Sequence, residues 1–251
     1  MPLLRSILGG MVTVLAVWQL AIWAVTPPRF MLPAPLDVLK TLFIRHEFLF
    51  GQAWITLVEI VLGLLFGSLA GIAVALLVTA FPRFGNMAWP SVLVLQALPV
   101  FAIAPLLVLW FGFGLASKVV MASLIIFFPI ASAFADGIRR THRDLLDAAA
   151  LTQATSLDIL WLVRVPSALP SLVSGFKMAA VFAPIGAVIG EWVGSSAGLG
   201  FVMLQANARM QADVLFAALA ILAAMTLILR FTVDELTARI APWARHAPHH
   251  Y

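Results

Sequence analysis

Few residues in this chain could do chemistry, and most of them stand in patterns that chemistry does not use. Gly194-Ser195-Ser196-Ala197-Gly198 matches the Gly-x-Ser-x-Gly nucleophile pattern. That pattern acts only on a strained strand-to-helix turn, and the flanks here read as helix and loop. His46, His142, His246, His249 and His250 include no His-Glu-x-x-His pair that would set two imidazoles on one helix face. The His246 to His250 tail is the one cluster of metal donors, and a solvated terminus is its ordinary state. Cysteine is absent, which removes thiol nucleophiles, thiolate metal sites and disulfides. Lys40, Lys118 and Lys177 follow Leu39, Ser117 and Phe176, so no Gly-Lys-Ser/Thr phosphate loop is available. The chain is expected to be no enzyme, to hydrolyse no nucleotide and to hold no metal or cofactor of its own.

Three ionisable side chains interrupt apolar runs: Glu59, Lys177 and Glu191. Such groups are costly in hydrocarbon, so each is a functional hypothesis. Glu59 falls about one turn inside the outer end of its run and Glu191 close to the outer end of another. Both are expected to reach the interface. Lys177 stands about 13 Å into its run, counted from Ala168. It is a candidate for lining a solute path, against the alternative of a snorkelling lysine.

The elements that carry these residues follow from composition. Of 251 residues 63% are hydrophobic and 10% charged, with a mean hydropathy of +1.07. A soluble domain carries about 25% charged residues, so this chain cannot cover a water-facing surface. Apolar runs of about 20 residues match a hydrocarbon core of roughly 30 Å. Six are expected: Ile7 to Val25, Trp54 to Ala80, Met87 to Phe111, Lys118 to Ala135, Ala168 to Val193 and Ala212 to Phe231. The first is too long for a signal peptide and reads as a retained span. Pro27, Pro28, Pro33 and Pro35 make the stretch to Gln52 a loop, with a short interfacial helix near Leu36 to Phe43. Pro99, Pro105, Pro129 and Pro184 fall inside spans, where they bend helices. The reading is an all-α membrane protein of one domain, residues 1–251, with an extra N-terminal helix, a core at about 54–231 and a loop at about 137–167.

The net charge of +4 does not form a nucleic-acid stripe, because the arginines are scattered between apolar spans. They sort by side of the membrane instead. With a cytoplasmic amino terminus, Arg5, Arg83, Arg139, Arg140, Arg143, Arg164, Arg230, Arg239 and Arg245 fall inside. Arg29, Lys40, Arg45, Lys118 and Arg209 fall outside. Both termini are thus expected in the cytoplasm. Glycines four apart, Gly63, Gly67 and Gly71, then Gly186, Gly190, Gly194 and Gly198, form grooves for close helix approach and could serve dimerisation.

The cytoplasmic segment from Thr141 to Pro170 reads as a short helical hairpin. Thr141 followed by Asp144 is a capping pattern, and Leu145, Ala148, Ala149 and Thr152 keep helical spacing. Ser156 is expected to cap a second short helix, to Leu162, with Asp158 in its first turn and Pro166 and Pro170 ending it. Such a hairpin suits docking to a soluble partner.

This segment resembles the "EAA" loop of ABC importer permeases, in which Glu-Ala-Ala is followed by three residues, Gly, nine residues, Ile-x-Leu-Pro, three residues and Pro. Here Asp147-Ala148-Ala149, Val163-Arg164-Val165-Pro166 and Pro170 keep that spacing, with Asp147 in place of Glu and Gln153 at the Gly position. Leu98 to Gly114 and Glu191 to Asp213 are similar to the nitrate, taurine and aliphatic-sulfonate branch, most of all to permeases for the pyrimidine precursor of thiamine and for riboflavin. The resemblance implies a type I importer permease fold in the bacterial inner membrane. It implies a second permease copy, a separate ATPase pair that binds ATP and Mg, and an extracytoplasmic binding protein that delivers a small polar solute. It assigns ATPase contact to Asp147, Ala148, Ala149, Gln153, Ser156, Leu157, Asp158 and Pro166, and leaves Phe101, Lys177 and Glu191 as candidates for the path. The competing class, an ion-coupled secondary transporter, predicts an internal repeat, and the two halves show none. A membrane-embedded enzyme would need convergent His, Asp, Glu or Cys residues at membrane depth.

Overall fold

The computed structural model describes residues 2–97 and 99–240. Leu98, Arg245 and the His246 to His250 tail lie outside the described residues. The described chain is helical throughout: α1 (Pro2–Val25), α2 (Pro35–Ile44), α3 (His46–Ala80), α4 (Pro82–Ala97), α5 (Val100–Phe111), α6 (Leu115–Arg139), α7 (Arg143–Ala150), α8 (Ser156–Ile159), a π turn (Leu160–Arg164), α9 (Val165–Gly194), α10 (Leu199–Ala208) and α11 (Ala212–Thr237). Four helices are long and apolar enough to cross a bilayer: α3, α6, the continuous helix Ser156–Gly194, and α11. Val12–Val25, Val100–Phe111 and Leu199–Ala208 are shorter apolar helices. The short helix expected near Leu36 forms as α2, begun by Pro35, whose missing N–H costs nothing in a first turn.

Two expected spans take a different form. The third, Met87 to Phe111, is two helices, because Pro99 stands in extended conformation before α5 and cannot continue α4. Pro105 lies inside α5 and Pro90 inside α4. The fifth span is longer than expected. Pro166 and Pro170 do not end the second helix of the hairpin, which runs unbroken for 39 residues to Gly194. At the π turn the Val165 N–H reaches Leu160 O, which widens the backbone where Pro166 has no donor to give. Ser167 Oγ donates to Val163 O at 2.7 Å and Ser174 Oγ to Pro170 O at 3.1 Å, so hydroxyls take up carbonyls along the proline-bearing stretch.

The core is α6 held between α3 and α9. Ile60, Ala122, Ile126, Ile130, Phe134, Ala179 and Ala183 are buried together there. The glycine stripes are spent on this contact. A Cβ on Gly63 would lie 2.5 Å from Ala122 Cβ, and one on Gly186 would lie 2.8 Å from Ala122 Cα, so both flanking helices approach α6 at the same alanine. Gly67 and Gly71 face Ser123 and Phe127, and Gly190 faces Lys118. The stripes therefore pack α6 of the same chain and are not free for a dimer. Gly194 meets Val108 of α5, and Gly198 has left the helix altogether. A second cluster joins α2 and the start of α3 to α10 and α11, through Val38, Leu49, Met203 and Ala217. Trp18 attaches α1 to it by stacking on Phe216 at 5.2 Å.

Candidate functional site

The hairpin at residues 143–164 is built almost without burial. Asp144 in the first turn favours the α7 dipole, and the alanines that follow are the best helix formers. Its N-cap is His142, with no side-chain bond; Thr141, expected to cap, is buried and donates instead to Ile138 O at 2.9 Å. Thr152 Oγ1 donates to Ala149 O, and Gln153 then turns the chain with φ +56°. That left-handed backbone is what glycine supplies most cheaply, so the departure from the family pattern keeps the turn. The cap of α8 is Thr155 and not Ser156. Thr155 Oγ1 accepts from Asp158 N at 3.2 Å while Asp158 accepts from Thr155 N at 2.9 Å, a reciprocal capping box one residue earlier than expected. The Thr155 hydroxyl and backbone N–H hold the Asp158 carboxyl below its ordinary value.

Neither α7 nor α8 buries a residue. Asp147, Ala148, Gln153, Ser156, Leu157 and Asp158 are exposed, while Ala149 and Pro166 are half-buried. Leu145, Leu151, Leu157, Trp161 and Leu162 are all exposed too, Leu151 at 87%. Between α8 and the end of α3 a cavity of about 230 Å³ opens, lined by Thr79, Pro82, Leu157 and Arg164.

The far end of the same continuous helix is the opposite case. Glu59 and Glu191 do not reach an interface; they are 0% and 1% exposed. Helix α3 begins at His46, two turns before the apolar run, which leaves Glu59 about 20 Å along it. Lys118, counted above as a charge of an outer loop, is buried in α6 with its Nζ 3.3 Å from Glu59 Oε1. Glu191 caps α10. Its Oε2 accepts the N–H groups of Gly200 and Phe201, and its Oε1 accepts from Thr56 Oγ1 at 2.6 Å. Thr56 Oγ1 in turn accepts from Leu199 N at 2.8 Å, and Gln52 Oε1 from Gly198 N at 2.6 Å. The first N–H groups of a helix have no partner within it. All four of them in α10 are satisfied here by side chains of α3 and α9, and the carboxylate lies on the positive end of the helix dipole. Gly198 is required twice: its φ is +106°, and a Cβ would run into the Glu191 carboxyl. In the same turn Ser195 Oγ donates to Ala197 O, so the nucleophile pattern is a loop cap.

The path candidates do not converge. Lys177 and Glu191 stand about 21 Å apart along α9. Lys177 Nζ pairs with Asp234 Oδ1 of α11 at 3.0 Å, and Phe101 is exposed on α5. Gln52, Thr56 and Asp234 were not singled out from sequence, and Gly198 was read there only as a packing glycine and part of a nucleophile pattern. The signal available for three of them was Gly-Leu-Gly seven residues after an acid, a turn with a helix start that needs an acceptor.

One long helix thus carries an unburied hairpin at one end and an internally capped turn at the other. The family model described as "Binding-protein-dependent transport system inner membrane component" matches residues 55–246. The chain belongs to that family. A "Probable ABC transporter permease protein" of Haemophilus influenzae is 48% identical over 90% of this chain and 92% of that one. The "Formylaminopyrimidine transport permease protein ThiX" of Halalkalibacterium halodurans is 30% identical over 92% of each. Among solved structures, a chain of the MetNI methionine ABC transporter in an inward-facing conformation superposes with a TM-score of 0.67 at 20% identity. The match covers 77% of this chain and 96% of that one. This likeness shows the fold, that of an ABC permease. The protein is accordingly an ABC importer permease, a multi-pass transport component of the inner membrane and not an enzyme.

Proposed function

We propose that two copies of this permease form the pore of an importer, each docking a separate ATPase subunit through the hairpin of α7 and α8. The observation that carries this reading is the hairpin itself: two helices with no buried residue, an exposed Asp147-Ala148 pair, and leucines and a tryptophan facing outward. A monomer gains nothing from such an arrangement, whereas a groove on a motor subunit would bury it. The hairpin joins α9 without a break, so a rigid displacement of α8 is transmitted along one helix. The arrangement proposed has six passes, with α4 and α5 together making the third, and both termini in the cytoplasm on the side of the hairpin. Phe101, just after the break at Pro99, is the proposed contact with the solute.

For the solute we propose a pyrimidine precursor of thiamine or a related small heterocycle, delivered by an extracytoplasmic binding protein. The support is the formylaminopyrimidine permease, aligned over nearly the whole length of both chains. The test is assembly and uptake. Ala148→Glu with Ala149→Glu should abolish co-purification with the ATPase subunit and ATP-dependent uptake of labelled formylaminopyrimidine in reconstituted vesicles. An intact complex would refute docking at this surface; uptake of a different solute by the wild type would refute the substrate alone.

A further inference from the structure

A cavity at the end of the bundle opposite the hairpin holds two cations and no acid. It measures about 260 Å³ and opens between the start of α3 and the turn that joins α10 to α11. Arg45, Arg209, Gln205 and Gln211 supply its polar groups, Phe48 and Phe201 its aromatic ones, and Val202, Ala206 and Val214 complete the lining. Neither arginine forms an ion pair among the described residues, where the pairs are Glu59 with Lys118, Asp234 with Lys177 and Arg230, and Glu235 with Arg239. The cavity on the other side of Gln211, of about 510 Å³, is built differently. There Arg29 and Lys40 share the lining with Asp37 and Asp213, and Asp213 Oδ2 accepts from Thr41 Oγ1 at 2.7 Å. Glu47, in the first turn of α3, lines neither cavity. The charge is matched in one cavity and left unmatched in the other.

The two arginines stand on the capped turn. Gln52 and Thr56 of α3 accept the Gly198 and Leu199 N–H groups, so α10 is fixed against the start of α3, and Leu49, Val202, Ala206 and Val214 are buried in one cluster between them. Arg209 ends α10, and Met210 turns the chain after it with φ +54°, a backbone that a non-glycine residue rarely adopts. Gln211 N donates to Ala206 O at 2.8 Å and closes the turn. The place excludes several occupants. Arg45 precedes Trp54, where the long apolar run begins, by nine residues, about 13 Å along α3. It is about 50 Å along the same helix from Thr79, which lines the cavity beside α8, so a molecule seated here is not the one seated on the hairpin. The volume falls below the roughly 300–1,000 Å³ of small-molecule sites and suits side chains. Phe48 and Met210 are exposed beside the two arginines, and aromatic residues, methionine and arginine are the types that protein interfaces concentrate.

From the unmatched charge and this placement we propose that the cavity receives acidic side chains of the extracytoplasmic binding protein, with Arg45 and Arg209 each pairing a carboxylate. The guanidinium fork meets a carboxylate through two parallel charge-assisted bonds, and the amides of Gln205 and Gln211 give further N–H donors to the same oxygens. Complementary charge at such a surface sets the register of docking and speeds encounter. The inference rests on the delivery by a binding protein proposed above and names the surface and the chemistry that receive it.

The experiment is binding of the importer's purified binding protein to the transporter assembled with its ATPase in phosphatidylcholine nanodiscs, read by interferometry. Arg45→Gln with Arg209→Gln should weaken binding by roughly tenfold or more. Added salt should weaken binding of the wild type and have much less effect on the double variant. Arg239→Gln, which removes the same charge at the hairpin end, should change nothing. Arg45→Glu or Arg209→Glu should be rescued by an acid-to-arginine substitution on the binding protein, which a merely misfolded variant would not allow. Unchanged affinity in the double glutamine variant, or the absence of any rescuing acid, would overturn the proposal. Retention of phosphatidylglycerol over phosphatidylcholine through the two arginines, with affinity for the binding protein unchanged, would give the cavity to a lipid headgroup and overturn it as well. A binding protein that does not bind the wild type would sink the delivery reading together with this one. Co-purification with the ATPase should survive Arg45→Gln with Arg209→Gln, so the hairpin reading and this one fail separately.

Discussion

The continuous helix Ser156–Gly194 ends in two regions that treat polar and apolar groups in opposite ways. At its hairpin end, apolar side chains are exposed and none of the described residues covers them. At its other end, each of the first four N–H groups of α10 finds a side-chain acceptor within the chain, and Glu191 is sealed from solvent. The difference separates two uses of conspicuous residues. On the docking proposed above, the exposed apolar hairpin has its energetic justification in another molecule. A buried acid that accepts three hydrogen bonds has its justification already, in the helix it caps, and its presence inside a span says nothing of a solute.

Substitutions at the two ends can break this contrast. The largest effect belongs to the capped end. Glu191→Ala strands the N–H groups of Gly200 and Phe201 and one bond of Thr56 in a dry core, and should cost about 3–5 kcal/mol in the stability of the purified permease. Thermal unfolding in detergent reads this, and a change within about 0.5 kcal/mol would mean that the cap is not needed. Lys118→Met should cost a similar amount, because Glu59 is left buried without its cation. Adding Glu59→Leu should recover most of the loss, since the pair replaced together leaves no orphan charge. At the hairpin, Thr155→Ala removes one cap and should cost about 1 kcal/mol, with the α10 end unaffected. The smallest effect is on acidity. Asp158 is held below its ordinary value, so its contribution is fully present above that value and fades as pH falls through the lower, folded one. In Thr155→Ala the Asp158 titration should move up toward the ordinary carboxylate range, as followed by NMR; an unmoved midpoint would remove Thr155 as its cause.

Legibility in the sequence follows the same division. The hairpin was readable because its signals are local: an alanine run, an acid in each first turn and a fixed spacing from Asp147 to Pro170. Its caps were misplaced by one residue, since Thr155 and Ser156 are both good caps and only the reciprocal bond to Asp158 decides between them. The helix boundary at Pro166 was misread because a π turn and serine hydroxyls absorb the missing donor. The capped knot was not readable. Gln52 and Thr56 of α3 meet Gly198 and Glu191 at the end of α9, and Lys118 of α6 meets Glu59 of α3; what brings them together is the approach of α3 and α9 to α6 over glycine. The apolar periodicity placed the helices; it carried no information about which polar groups their packing would bury.

The absence of cysteine makes the central claim directly measurable, because any introduced thiol is unique. Cysteine at Ala149 and at Leu157, in the transporter assembled with its ATPase in membrane vesicles, should cross-link to the ATPase subunit and become shielded from membrane-impermeant maleimide on assembly. Cysteine at Gln211, at the far end, should do neither and should react only from the opposite side. Labelling of positions 149 and 157 from the extracytoplasmic side, or their failure to cross-link in an active transporter, would contradict the account.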